Sequence, residues 1–223
     1  MSRIEAVVFD VGETLVDETR AWGVWADHLG IPRLTFFAAL GHVVAEGRNH
    51  RDVFELFAPG IDVAAEGRAL GVAGISDLVS LDDLYPDALP CLQKLAADGT
   101  RLAVAANQPA PAADVVAQMG IEFEFIGTSA AWGVQKPDPR FFDRVVREVA
   151  LAPAAIAYVG DRIDNDVRPA RDAGMVAVFI RRGPWGWIQA GRADPPEADI
   201  VIDTLAELPE ALRRPVREPA QPR

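Results

Sequence analysis

The order of apolar and polar residues along the chain predicts two kinds of element in alternation. Short apolar runs bounded by turn-forming residues occur at 4–9, 102–106, 123–127, 156–160, 176–180 and 200–202. Runs of this length, rich in β-branched residues, are typical of strands buried on both faces. Intervening segments carry apolar residues at helical spacing, as Phe141, Val145 and Val149 do. This alternation predicts an α/β fold, a three-layer Rossmann-like parallel sheet with helices on both faces.

One long segment, 16–84, has no strand pattern and instead shows apolar stripes at helical spacing. We therefore expect an all-helical cap domain, 16–84, inserted after the first strand of a core domain that 1–15 and 85–208 form. The last residues, 209–223, are rich in proline and arginine. They predict a short helix that frays into a disordered tail.

Composition sets bounds on the partners and the compartment. Half of the 223 residues are hydrophobic, which is enough for one sizeable core or a core with an insert. No apolar run approaches the roughly 18 residues of a membrane span. Residues 1–3 lead directly into the first predicted strand, so we expect no signal peptide. The single cysteine, Cys91, excludes an intramolecular disulfide and is typical of a reducing cytoplasm. The net charge of −11 argues against nucleic acid and against anionic membranes as partners.

Polar side chains stand at the carboxyl ends of three predicted strands, namely Asp10, Asn107 and Asp161. Ligands of open α/β sheets bind outside these strand ends, so the three residues are placed for chemistry. For Asp10 alone, a turn-forming or helix-capping role is an equally good interpretation. The run 161–166 holds three carboxylates in six residues, which repel one another unless a cation lies among them. Such oxygen ligands suit Mg²⁺, which also binds substrate phosphate.

Lysine is rare in this chain, and its positions are informative. Of the 22 basic residues, only Lys94 and Lys136 are lysines. Where arginine supplies nearly all of the positive charge, a lysine can mark a place that needs a compact ammonium group. Lys136 lies between a predicted strand and a helix, and a solvated loop charge is the alternative interpretation for it.

Together these motifs resemble those of the haloacid dehalogenase-like (HAD) superfamily over nearly the whole chain. The matching stretches are 9–15 (FDVGETL), 136–141 (KPDPRF) and 159–166 (VGDRIDND). Three motifs in this order, each at a predicted strand end or in the loop after it, are a specific signal. The helical segment after the first strand is similar to the helical cap of that superfamily.

The resemblance implies an Mg²⁺-dependent phosphohydrolase that acts on a small phosphorylated metabolite. In it, Asp10 is the nucleophile and forms an aspartyl-phosphate. Lys136 pairs with Asp10 and with the phosphate as a point charge. The implied metal ligands are Asp10, the backbone carbonyl of Gly12, and Asp161, with Asp166 at the edge of the metal site.

Two positions depart from the pattern that the resemblance implies. Gly12 stands where phosphatases of the superfamily carry a second aspartate as general acid and base, and losing such a group costs roughly 10²–10⁴-fold in rate. Glu13 follows it, but a neighbouring residue on an extended backbone points elsewhere. Ala106, followed by Asn107, stands where a Thr or Ser hydroxyl binds the phosphate. We therefore expect the phosphate to lie against Ala106, Asn107 and Lys136.

Other activities compete with this one. A degenerate binding or regulatory protein with little turnover is favoured by Gly12 and Ala106. It is opposed by four charged residues that are retained, namely Asp10, Lys136, Asp161 and Asp166. Holding these charges together is costly without a metal ion and a phosphate. A metal-free dehalogenase would not need Asp161 and Asp166. A phosphonate-cleaving enzyme needs a cap lysine for its Schiff base, and the predicted cap has none.

A water, a cap residue or the substrate itself would replace the missing general acid. Glu18, Arg20 and Trp22 are candidates for substrate contact, with a surface or packing role as the alternative for each. Trp185 and Trp187 are expected to be exposed, where they form an interface or cover the edge of the sheet.

Overall fold

The structure, a computed structural model, describes residues 3–70, 80–191 and 198–214. Its strands are β1 (Ala6–Phe9), β2 (Arg101–Ala106), β3 (Ile126–Thr128), β4 (Ile156–Gly160), β5 (Val176–Ile180) and β6 (Ile200–Ile202). They form one parallel sheet in the order β3-β2-β1-β4-β5-β6. The strands β1, β4 and β5 are buried along their whole length because helices cover both faces. The predicted α/β, Rossmann-like fold is confirmed.

Helices flank this sheet and fill the connection between β1 and β2. In chain order the α-helices of the described residues are α1 (Thr19–His28), α2 (Arg33–Ala45), α3 (Val53–Phe57), α4 (Val63–Ala69), α5 (Ala88–Ala97), α6 (Ala112–Ala117), α7 (Ser129–Trp132), α8 (Pro139–Val149), α9 (Arg168–Asp172), α10 (Gly183–Ala190) and α11 (Leu208–Ala211). A π-helical turn, Ile163–Val167, precedes α9 and carries most of the acidic run.

The sequence directly after Lys136 contains the signals that start helix α8. The Asp138 side chain caps the helix by accepting a hydrogen bond from the Arg140 backbone N–H at 2.9 Å. Pro139 occupies the first helical position, where its missing N–H has no consequence. The buried apolar face then begins at Phe141. The lysine motif therefore ends at the capped N-terminus of α8.

The core consists of three hydrophobic clusters. Alternation along β1 sends Val7 and Phe9 into one cluster and Ala6 and Val8 into the other, on opposite faces of the sheet. The third cluster packs α1, α2 and α3 against one another, with residues of α10 at its border.

Trp185 belongs to this third cluster, and here the sequence expectation is wrong. Its side chain is buried, with 6% exposed, and the Arg162 guanidinium lies 5.5 Å from its ring centre. Trp187, which is 64% exposed, is on the surface as expected. The two tryptophans are two positions apart on a helix, so they lie on different faces of α10.

The chain leaves the sheet after β1 and returns to it before α5 at adjacent points. Val16 forms isolated backbone bridges with Gly12 and with Leu84. The Tyr85 backbone N–H also donates to the Leu15 carbonyl at 3.0 Å. The helices α1 to α4 lie between these two passages, and residues 71–79 of this segment lie outside the described residues.

The strand predicted at 123–127 begins later than the apolar pattern indicates. Glu124 and Phe125 already form backbone hydrogen bonds with β2, but the regular ladder covers only Ile126–Thr128. At the other end of the chain, most of the predicted disordered tail, 215–223, lies outside the described residues. Across the described part of the chain, no helix has both the length and the apolar character needed to cross a membrane.

Candidate active site

The carboxyl ends of β1 and β4 lie side by side at the centre of the sheet. β1 pairs with β2 on one side and with β4 on the other, so the strand order reverses at this point. Ligands of open α/β sheets bind in the crevice that such a reversal creates. Asp10 follows β1 and Asp161 follows β4, so both project from this crevice.

Three carboxylates meet there. One oxygen each of Asp10, Asp161 and Asp166 lies within 4.8 Å of the other two, and all three residues are buried. Asp166 arrives from the π-helical turn, where its Oδ2 accepts a hydrogen bond from the Arg162 backbone N–H at 3.1 Å. The acidic run therefore folds back onto the end of β1.

Lys136 bridges two of these carboxylates. Its Nζ donates to Asp10 Oδ1 at 2.6 Å and to Asp166 Oδ1 at 2.5 Å, and only 1% of its side chain is exposed. The ring of Tyr158 lies beneath the ammonium group, 5.6 Å from Nζ. Burial acts to lower the pKa of Lys136, but the charges of Asp10 and Asp166 outweigh it and hold the pKa well above its usual value. The lysine is therefore charged.

One lysine does not neutralise three carboxylates. Asp161 Oδ2 is buried and has no hydrogen-bond partner among the described residues. Burial, followed by the charges of Asp166 and Asp10, raises the pKa of Asp161 well above its usual value. Burial also raises the pKa of Asp166 to about 6, against the opposing charge of Lys136. A partnerless carboxylate oxygen among hard oxygen donors fits a divalent cation such as Mg²⁺.

Gly160 makes room for this cluster. A Cβ atom at this position would lie 2.4 Å from Asp166 Cγ, which is closer than real contacts allow. The glycine at the end of β4 is therefore required by the close approach of the Asp166 side chain, and not by an unusual backbone conformation.

Asn107 holds Lys136 from the end of β2. Its Oδ1 accepts from the Lys136 backbone N–H at 2.7 Å and its Nδ2 donates to the Lys136 carbonyl at 2.9 Å. Ala106, just before it, is buried and brings no hydroxyl to the site. The structure thus places Asn107 beside the lysine, as a support of its backbone.

Gly12 lies next to an acidic side chain that comes from further along the chain. A Cβ atom on Gly12 would lie only 2.5 Å from Glu18 Oε1. Burial, followed by the charge of Glu13, raises the pKa of Glu18 to about 8. Glu13 itself takes a positive φ of 53°, and its two oxygens accept from the Glu18 backbone N–H and from the Tyr85 hydroxyl.

Many of these groups line one cavity of about 790 Å³, among them Asp10, Gly12, Glu13, Glu18, Asn107, Lys136 and Asp161. The sheet side contributes Asp10, Lys136 and Asp161, and the helical segment contributes Trp22 and His50. The cavity is therefore enclosed by both parts of the chain, and its size suits a small metabolite.

Sequence reasoning missed two residues of this cavity. Gln108 is buried and its Oε1 has no hydrogen-bond partner within the described ranges. It follows Asn107, so the strand-end position that singled out Asn107 was the available signal. His50 packs edge-on against Trp22 and Trp185, with ring centres 5.7 and 5.5 Å away. No spacing in the sequence marks it.

The doubly wound sheet, with its cluster of charged groups at the switch point between β1 and β4, defines the class of protein, an α/β protein with a candidate active site at these strand ends. A family profile described as haloacid dehalogenase-like hydrolase matches residues 4–174. The chain therefore belongs to the haloacid dehalogenase-like hydrolases, as the motifs indicate.

Relatives with described activities align over most or part of the chain. A glyceraldehyde 3-phosphate phosphatase from Methanopyrus kandleri is 32% identical, over 94% of this chain and 97% of the relative. A phosphoserine phosphatase from Thermus thermophilus is 35% identical, over 58% of this chain and 52% of the relative. The crystal structure of a HAD-superfamily hydrolase from Geobacter sulfurreducens has a TM-score of 0.67 at 19% identity, with 94% and 96% of the two chains covered, and shares the fold.

Proposed function

We propose that this chain is an Mg²⁺-dependent phosphohydrolase that transfers the phosphoryl group of a small metabolite to Asp10. The observation that carries the proposal is the lysine-bridged cluster of Asp10, Asp161 and Asp166, of which Asp10, Lys136 and Asp161 line a metabolite-sized cavity. Two relatives are named as phosphatases of small phosphorylated metabolites, which supports the same class of substrate.

The donor set suits a resident magnesium ion. Asp10, Asp161 and the Gly12 carbonyl would hold it, with Asp166 at its edge, and when bound it would neutralise charge on the phosphoryl group. A bound Mg²⁺ would give Asp161 Oδ2, which has no hydrogen-bond partner among the described residues, an interaction partner.

The remaining chemistry is carried by side chains of the chain. One oxygen of Asp10 attacks phosphorus, and the bond from phosphorus to the leaving oxygen breaks. Water then hydrolyses the aspartyl-phosphate and regenerates the carboxylate. Lys136 orients Asp10 through a 2.6 Å hydrogen bond and places a positive charge where the phosphoryl oxygens bind.

We propose that the helical segment 16–84 acts as a cap that determines which substrate fits. Trp22, Asn49, His50 and Arg51 bring both aromatic and polar groups to the cavity from this segment. A three-carbon phosphate such as glyceraldehyde 3-phosphate is the first natural substrate to test, because a relative matched over nearly its whole length bears that name.

A second candidate function is a binding protein with little turnover. It is favoured by Ala106, which is buried at the end of β2 and offers no hydroxyl to a phosphate, and by the absence of a side chain at Gly12. Because Asn107 Nδ2 and Oδ1 both bond to the backbone of Lys136, they do not simply replace that hydroxyl.

Hydrolysis of p-nitrophenyl phosphate separates the two functions, because this leaving group hardly needs a proton. We expect turnover with Mg²⁺, loss of turnover with EDTA, and loss in Asp10→Asn. Asp143→Asn, an exposed aspartate on α8, is the matched control and keeps full activity. Folded wild-type protein that turns over no faster than Asp10→Asn would contradict the phosphohydrolase function and favour the binding protein.

A further inference from the structure

The proposed reaction needs a proton donor that has not yet been assigned. When the bond between phosphorus and an alkyl oxygen breaks, the leaving alkoxide is strongly basic and must take up a proton. In the second step, the attacking water must lose a proton. The donor has to lie in the cavity next to Asp10, and it needs an oxygen or nitrogen that is not already committed to another partner.

Most ionisable groups in the cavity are committed. Lys136 Nζ bonds to Asp10 and Asp166. Both oxygens of Glu13 accept hydrogen bonds, one from the Glu18 backbone N–H and one from the Tyr85 hydroxyl.

The carboxylate of Asp164, another residue of the cavity, accepts from the Arg162 guanidinium and from the Gln189 amide. His50 lies edge-on between the rings of Trp22 and Trp185. Glu18, by contrast, is the acid that the structure places directly against Gly12, two residues after Asp10.

Among the cavity acids that are neither the proposed nucleophile nor proposed metal ligands, Glu18 differs from Glu13 and Asp164 in having one uncommitted oxygen. Its Oε2 accepts from Trp22 Nε1 at 3.2 Å, which fixes the carboxyl group. Its Oε1 has no hydrogen-bond partner in the described part of the chain and lies 2.5 Å from the point that a Gly12 Cβ would occupy. Gly12 is two residues after Asp10, and Gly12, Glu18 and Asp10 line the same cavity. The Glu18 carboxyl thus fills the space that a side chain at position 12 would use.

We propose that Glu18 is the general acid and base of the reaction, supplied from the N-terminus of α1 into the space left by Gly12. This inference rests on the proposed phosphohydrolase function and adds a catalytic residue to it.

The proton balance of the two steps is complete with this one residue. In the first step, the protonated Glu18 carboxyl gives its proton to the leaving oxygen while Asp10 Oδ bonds to phosphorus, and an alcohol departs. In the second step, the Glu18 carboxylate takes a proton from water while the water oxygen bonds to phosphorus and the bond to Asp10 breaks. Glu18 is then protonated again, and inorganic phosphate leaves.

The decisive test compares two leaving groups in wild type and Glu18→Gln. The value of kcat/KM reports the steps up to the first irreversible one, here transfer to Asp10. With glycerol 1-phosphate, whose leaving group needs a proton, we expect Glu18→Gln to lose roughly 10²–10⁴-fold in kcat/KM. With p-nitrophenyl phosphate we expect a loss below about 10-fold, because no proton is needed in that step.

The control is Glu46→Gln, which changes an exposed glutamate at the end of α2 and leaves both substrates unaffected. Equal losses on both substrates would overturn the proposal in favour of a structural role, and so would the absence of any loss. Failure of the proposed function is distinguishable, because wild type would then hydrolyse neither substrate above the Asp10→Asn background.

A second variant tests the same geometry without changing Glu18. In Gly12→Ala the new methyl group overlaps Glu18 Oε1, the free end of a flexible side chain, and must push it aside. We expect the same selective loss on glycerol 1-phosphate, of at least about 10-fold, with p-nitrophenyl phosphate hydrolysis retained. Thermal unfolding verifies that the variant is folded, and an unchanged ratio between the two substrates would overturn the proposal.

Discussion

Asn107 and Lys136 exchange two hydrogen bonds across 29 positions of the chain, one to the lysine N–H at 2.7 Å and one to its carbonyl at 2.9 Å. The peptide groups of Lys136 are thereby tied to the end of β2, while its ammonium group is tied to Asp10 and Asp166. The lysine is fixed at both ends of its side chain, so its charge is held in one place.

Removal of this support should loosen the lysine. We expect Asn107→Ala to lower the free energy of unfolding by about 2 kcal/mol, since a net hydrogen bond contributes about 1 kcal/mol. It should also reduce kcat on p-nitrophenyl phosphate, because Asp10 is oriented through Lys136. Asn107→Asp, which can still accept from the lysine N–H, should lie between wild type and the alanine variant. Urea unfolding and steady-state kinetics measure both effects, and an alanine variant as stable and active as wild type would contradict them.

Replacement of the buried lysine should be far more damaging than replacement of the exposed one. Lys136→Met leaves two buried carboxylates without their cation and should lower the free energy of unfolding by about 3–5 kcal/mol. Lys94→Met removes only an exposed ion pair with Asp98, which contributes about 0.3–0.5 kcal/mol. Denaturant unfolding of the two variants at neutral pH compares the chain's only two lysines directly. Equal effects would mean that the Lys136 cluster is not formed.

Asp161 should decide whether magnesium stabilises the protein. A ligand that binds only the folded state at 100 times its Kd adds about 2.7 kcal/mol, so saturating Mg²⁺ should raise the Tm of wild type. In Asp161→Asn this rise should disappear, and the Tm without Mg²⁺ should be no lower than that of wild type, because a buried, unpartnered acid is removed.

Asp164→Asn serves as the control for this experiment. It lies in the same acidic run but pairs with Arg162 and Gln189. We expect it to keep the full response to Mg²⁺ in differential scanning fluorimetry. A response in Asp161→Asn as large as in Asp164→Asn would argue against the cluster as the metal site.

His50 should make the protein sensitive to mild acid. Burial, followed by the charges of Arg162 and Arg51, lowers the pKa of His50 from 6.5 to about 4, against the charge of Asp52. The unfolded chain therefore binds a proton near pH 6.5 that the folded chain does not bind until about pH 4. Stability is then lost as pH falls through this window, by at most about 2 kcal/mol between pH 7 and pH 5.

His50→Gln should lose this part of the pH dependence. His42→Gln, which changes an exposed histidine, should keep it. Urea unfolding of the two variants and wild type at pH 7 and pH 5 measures the difference. Identical pH dependence in the two variants would show that His50 titrates normally in the folded protein.

Much of the fold follows from the sequence because parallel strands carry clear local signals. The bounds of β4, β5 and β6 agree with their apolar runs, and Asp10 and Asp161 stand at neighbouring strand ends because parallel strands share a direction. The start of β3 was misjudged because Phe123 and Phe125 read as strand residues, although Phe125 packs against Trp132 before the regular ladder begins. An apolar pattern reports burial and not the hydrogen-bond ladder.

The contacts of the site that the sequence did not reveal form where the backbone turns back on itself and brings distant residues together. Glu18 reaches Gly12 because the backbone turns at Glu13, whose positive φ no propensity predicts for a glutamate. The bonds from Asn107 to Lys136 likewise depend on how a loop returns to the sheet edge. A motif identifies which residues end a strand, but it does not show which distant side chain fills a gap beside them.

The backbone bridge between Val16 and Leu84 also has a consequence for how such a protein can evolve. Residues paired in this way lie about 5 Å apart, so a turn of two residues would be enough to join them. An exchange of the segment between them would leave Asp10 and Lys136 outside the exchanged residues, because both lie on the sheet side of this border. Glu18 lies within that segment, two residues after Val16. An exchange that alters substrate choice would therefore carry the proposed proton donor with it, so that new specificity and new acid–base chemistry would be inherited together.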